Sequence, residues 1–176
     1  MSTPEVEKPV KKKRVRQNYV DNKAFLAAMI EFRESVIEAK EKGLPRPMVP
    51  TYVATCIMKI ATHLAHKPNF MNYSFREEMV SDGIENCLQY IDNFNPEKSK
   101  NPFAYFTQIV YYAFLRRIDK EEKNLYIKYK SIEKFNIDNA MSEEEHFEQI
   151  VQSEGAMEKM VAFIKKYEEK KGLNKS

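Results

Sequence analysis

The 176-residue sequence has no tryptophan, two cysteines, four glycines and no apolar run approaching the length of a bilayer crossing. The last of these excludes a membrane-spanning chain, since a transmembrane helix needs about 20 consecutive apolar residues. Cys56 and Cys87 form no metal-binding spacing, and two reduced thiols point to a cytoplasm. The N-terminus is charged but lacks the apolar stretch of a secretory signal. Scarce glycine, the lack of alternating β-branched runs and abundant Lys, Glu, Ala, Met and Leu point to an all-α fold. The net charge is only +3, so the total alone does not announce a nucleic-acid binder.

The distribution of charge says more than its sum. Residues 1–16 carry six Lys/Arg against two Glu, with two prolines and few large apolar side chains, which reads as a basic arm over 1–18. Between 135 and 154 the sign reverses: Asp138, Glu143, Glu144, Glu145, Glu148 and Glu154 face no Lys or Arg. The reading is thus three parts: the arm, a helical domain over 19–135, and an acidic linker with a last helix over 136–176.

Helical periodicity places a first helix over 22–42, with Phe25, Leu26, Met29, Ile30, Phe32, Val36 and Ile37 on its apolar side and Gly43 as its stop. The proline-rich stretch 43–50 links it to a second helix over 51–65, whose apolar side is Val53, Cys56, Ile57, Ile60, Ala61 and Leu64. A third helix is expected to open on a capping box of Ser74 and Glu77 and to run to Phe94. Met79, Val80, Gly83, Ile84, Cys87, Tyr90, Ile91 and Phe94 share one half of it, and Glu78, Ser81, Asp82, Glu85, Gln89 and Asp92 the other, with Leu88 at the edge. After the polar turn 95–102, Pro102 opens a fourth helix that continues to about Phe135. A last helix covers about 156–171.

The fourth helix holds "NPFAYFTQIVYYAFLRRI", residues 101–118. Phe103, Phe106, Val110, Ala113, Phe114 and Ile118 form one continuous apolar face and read as core. Tyr105, Gln108, Ile109, Tyr112, Leu115 and Arg116 fall opposite. Such a second stripe is covered by the C-terminal helix, or it faces a partner. Unpaired bases stack on tyrosine for about 1–3 kcal/mol each while Arg and Lys hold phosphate, and Lys98, Lys100, Lys120 and Lys123 flank the stripe.

The segment 76–118 resembles region two of bacterial RNA polymerase sigma factors. It carries the Asp82-Gly83 step, Asp92 to Phe94, the basic loop "NPEKSK", Tyr105 after the helix start, and a terminal Arg116 to Ile118. Within that family it is similar to the late-transcription branch of T-even bacteriophages, through "NYVDNK" (18–23), "EMVSDGIE" (78–85) and "NPFAYFTQ" (101–108). The resemblance covers about residues 18–134.

It implies a phage-encoded sigma factor, acting in the cytoplasm of the infected host, that binds host core RNA polymerase and melts an AT-rich late promoter. Glu78, Ser81, Asp82, Glu85, Leu88 and Gln89 would dock on the clamp helices of the largest subunit. Tyr105 would stack on the base flipped from the non-template strand, and Lys98, Lys100, Asn101, Gln108, Ile109, Tyr112, Leu115 and Arg116 would line the DNA path. Gln108 and Ile109 stand where housekeeping members have a tryptophan pair. After residue 135 only 41 residues remain, too few for the separate helix-turn-helix domain of housekeeping members. The phage branch relies instead on a sliding clamp and a coactivator, but this chain ends basic and polar, so the clamp contact does not carry over. No cofactor, metal or membrane is implied.

Two other classes compete. A small helical nucleic-acid-binding regulator accounts for the arm and stripe but not for the acidic face. An enzyme is the weakest reading, because His63 and His66 have no third ligand in the pattern and His146 no partner.

Overall fold

A computed structural model describes residues 19–140 and 154–173, and every regular element among them is a helix, as expected. The arm, most of the acidic stretch and His146 lie outside the described residues.

α1 (Asn22–Glu41) opens where the Asp21 carboxylate accepts from the amides of Lys23 at 2.9 Å and Ala24 at 3.4 Å. It stops at Gly43, whose φ of 64° lets Leu44 N–H reach Ala39 C=O at 2.8 Å. α2 (Thr51–Ala65) follows the proline linker and buries Val53, Cys56, Ile57, Ile60, Ala61, Leu64 and Ala65 along one side. Phe70, in the next loop, closes the end of that core against Phe114, ring centroids 5.2 Å apart.

α3 (Arg76–Gln89) departs from expectation at both ends. Phe75 occupies its N-cap position without a side-chain bond, so the Ser74/Glu77 capping box does not form. At its other end the chain leaves the α-helix at Tyr90 for a 3₁₀ turn, Ile91–Asn93, which buries Ile91 and Phe94 and leaves Tyr90 exposed.

α4 (Pro102–Ala140) runs five residues beyond the expected end, so the boundary set at 135 falls inside a continuous helix. Its proximal part is the axis of the bundle: Phe106, Val110, Ala113 and Phe114 are buried, and α1, α2 and α3 all pack on it. Gly83 of α3 is the closest approach, since a Cβ there would lie 3.0 Å from Val110 Cγ1 and 3.1 Å from Phe114 Cε1, both buried side chains with nowhere to swing.

α5 (Glu154–Lys171) packs on the distal part of α4. Tyr167 stacks on Tyr126 at 4.5 Å, Phe163 meets Tyr129 edge-on at 5.5 Å, and Lys170 and Lys171 pair with Glu122 and Asp119. α5 therefore lies beyond the 101–118 stripe and does not cover it. Ile164 is buried, so it serves the packing of α5, and Val161 and Ile127 are exposed.

Candidate docking and nucleic-acid faces of the α3–α4 pair

α3 and α4 run antiparallel, joined along one flank by a polar seam and along the other by core. The seam links successive turns of α3 to α4. Asp82 takes two bonds from Arg117, Nε to Oδ2 at 2.6 Å and Nη2 to Oδ1 at 2.7 Å. Asn86 Oδ1 accepts from Arg116 at 2.7 Å, and the Tyr105 hydroxyl donates to Tyr90 C=O at 3.0 Å. Glu121 adds a second carboxylate to Arg117 at 3.2 Å. On the buried flank, Cys87 Sγ lies 3.9 Å from Phe106 C=O, and burial pushes its thiol up to about 12.

The packing corrects three expectations of exposure, at Asp82, Tyr105 and Ile109. Asp82 was expected on the outer docking face, yet it is 27% exposed and its carboxylate is fully engaged by an arginine that is 18% exposed. The hydrogen bonds that Arg117 donates to Asp82 first, then to Glu121, raise its pKa and hold the guanidinium charged. Arg116 stays exposed but is directed to Asn86. Tyr105, expected to stand free, is half-buried, its ring 5.3 Å from Phe94 and 5.1 Å from Phe106, and burial raises its hydroxyl pKa. Ile109 is likewise partly buried against the core. The physical reason is that α3 and the turn after it pack against one flank of α4, which pairs Asp82 with Arg117 and draws Tyr105 to Tyr90 and Phe94, and helical periodicity alone cannot see such a neighbour.

The remaining candidates are exposed. On α3 these are Glu78, Ser81, Glu85, Leu88 and Gln89, with Ser81 Oγ donating to Glu77 C=O at 3.0 Å. Glu77, freed from the capping box, joins this face. Residues 77–97 hold six carboxylates and no Lys or Arg. On α4, Gln108, Tyr112 at 50% exposure and Leu115 at 39% remain open. Tyr111, at 41% exposure, belongs with them and was missed, because it sits between the two faces of the wheel; its ring is 5.8 Å from both Tyr112 and Phe70. Lys98 and Lys100 are exposed in the turn before α4. Asn101 is exposed too, but its Oδ1 accepts from Ala104 N–H at 3.0 Å, so it caps α4.

His63 and His66 are not brought to a third ligand: each Nδ1 donates to the backbone carbonyl four residues back, Lys59 at 2.9 Å and Thr62 at 2.7 Å. Among the described residues no group of three His, Cys, Asp or Glu is placed to hold a metal ion, and no helix is long and apolar enough to cross a membrane. Comparison with known protein families and with curated proteins returned no match.

Proposed function

We propose that this chain is a promoter-specificity factor of the phage late sigma type, docking on host core RNA polymerase through α3 and guiding the opening of an AT-rich promoter element along α4. One observation carries the reading: two helices held in fixed register present opposite chemistry outward, acid with Leu88 on one, tyrosine and amide on the other. The resemblance of residues 76–118 to sigma region two supports the same assignment. A base that leaves the stack costs a few kcal/mol, and an exposed ring recovers it by stacking. AT-rich steps lower that cost. In this reading Tyr112, the most open ring of the stripe, receives the base, and Tyr105 anchors the hairpin beside it. The docking surface is Glu78, Ser81, Glu85, Leu88 and Gln89, with Asp82 holding α3 to α4 from within. The chain directs an enzyme and performs no bond chemistry itself.

The test is co-elution with bacterial core RNA polymerase on a sizing column, followed by permanganate footprinting of the non-template strand with Tyr112→Ala. Co-elution with reduced melting by the variant is expected. Absence of binding to polymerase overturns the reading in favour of a small helical nucleic-acid-binding regulator.

A further inference from the structure

The outer face of α2 is the chemical inverse of α3's. From residue 42 to residue 76 the sequence holds no Asp or Glu. The side of α2 that does not pack presents Thr51, Thr55, Lys59, Thr62, His63 and His66, all exposed, with Tyr52 and Met58 open among them, and continues into exposed Lys67 and Asn69. Neither Lys59 nor Lys67 makes an ion pair among the described residues. Arg46 and Arg76, by contrast, are spent locally, on Asp92 at 2.9 Å and on Met71 C=O at 3.3 Å. Asp21 is an opposing charge that acts on Tyr52 at the N-terminal edge of this face.

Two contacts tie this face to α4, the second of them beside the open tyrosines. Tyr19 bridges His63, stacked at 3.9 Å, and Phe103, at 5.6 Å. Phe70 bridges the loop after α2 and Tyr111. Residues 101–118 of α4 are also free of carboxylates, so neither of the two surfaces carries an acid of its own.

We infer that the outer face of α2, with Lys59 and Lys67 as its cations and the Thr62 hydroxyl as a donor between them, binds the phosphate backbone of duplex DNA beside the strand-opening stripe of α4. Charge complementarity selects a polyanion. The choice of duplex follows from the rings: α4 offers open tyrosines for unpaired bases, whereas on α2 the Tyr19 and His63 rings already cover each other. A surface whose only charges are cationic and whose Tyr19–His63 pair is self-stacked suits backbone contact, which positions a duplex without reading it. The inference rests on the proposed function only in supposing that the chain meets DNA; it does not depend on polymerase docking.

Fluorescence anisotropy of the full chain with a labelled duplex and with its single strand, across a salt series, tests it. Lys59→Glu with Lys67→Glu is compared with Lys165→Glu with Lys166→Glu, an equal charge change at exposed positions of α5. Losing two phosphate contacts is expected to weaken duplex binding about tenfold and to lower the slope of log K against log salt by about 2. The α5 pair is expected to change it far less, and single-strand binding to follow Tyr112→Ala instead. Equal losses from the two double variants overturn the site, and equal losses on duplex and single strand overturn the duplex assignment. Circular dichroism of each variant shows whether it folds; should the charge reversals disturb α2, Lys59→Gln with Lys67→Gln is the second pair, judged by the same slope. A chain that fails to co-elute with polymerase yet shows this dependence loses the proposed function and keeps the surface.

Discussion

α2 and α3 are nearly equal in length, 15 and 14 residues, and both bury one side against α4, yet their outer faces share almost no chemistry. α2 shows threonine, histidine and unpaired lysine; α3 shows glutamate, serine and an exposed leucine. Burial constrains the inner side of each helix and leaves the outer side free, so a consistent sign over a whole outer face has no packing reason. Solvation alone is satisfied by mixed charge. The contrast is therefore the part of this molecule that speaks of partners, and each face is expected to fail separately when reversed.

The largest effect is expected from Glu78→Lys with Glu85→Lys. Both side chains are exposed and neither enters an ion pair among the described residues, so the fold has little stake in them. Placing two like charges against a complementary surface costs several kcal/mol, so co-elution with core polymerase should fall by about two orders of magnitude while thermal unfolding is unchanged. The α2 reversal at Lys59 and Lys67 should leave co-elution intact. If either pair of reversals removes both properties, the two faces are one surface and the comparison collapses.

Next comes the seam that fixes the angle between the α3 and α4 faces. Arg117→Ala strands the half-buried Asp82 carboxylate and removes charge-assisted bonds at 2.6 and 2.7 Å. Bonds of this kind contribute about 1.5–3 kcal/mol, so a loss near 2 kcal/mol in chemical denaturation is expected. Arg116→Ala, on the exposed side of the same seam, should cost well under half of that. Equal costs for the two would mean that the seam is not what holds α3 in register.

Much of this arrangement was legible in the sequence. Helix periodicity located all five helices, because each buries residues three and four apart and is bounded by proline, glycine or a polar turn. The same periodicity separated the inner and outer faces of α3 and found the exposed row at Gln108, Tyr112 and Leu115. It failed where the answer depends on a neighbour. Asp82 and Arg117 are 35 positions apart, and nothing local to either says that one will claim the other. Tyr105 and Ile109 lie on the stripe by angle, but packing half-buries both, Tyr105 against the end of α3 and Ile109 against the core. The α2 face went unread for a different reason, since a run without carboxylates is an absence, and it becomes a surface only once the structure shows which of its residues stay outside.

The smallest expected effect concerns how the α3 face begins. Ser74 and Glu77 have capping-box spacing, but Phe75 holds the N-cap position and no side chain bonds the first-turn amides. Met79 N–H instead closes on Phe75 C=O at 3.1 Å, so the helix starts one register later than the motif specifies. The aromatic pair Tyr73 and Phe75, 5.1 Å apart, and their packing against the core account for the shift: setting Phe75 into the cluster gains more than a cap. Ser74→Ala should then change stability by less than about 0.5 kcal/mol, whereas Asp21→Ala, which removes a cap that α1 does use, should cost about 1 kcal/mol. Denaturation of the two variants side by side decides it. A cost for Ser74→Ala as large as for Asp21→Ala would restore the capping box and return Glu77 from the acidic face to the helix end, leaving Glu78 and Glu85 as the acids on which docking rests.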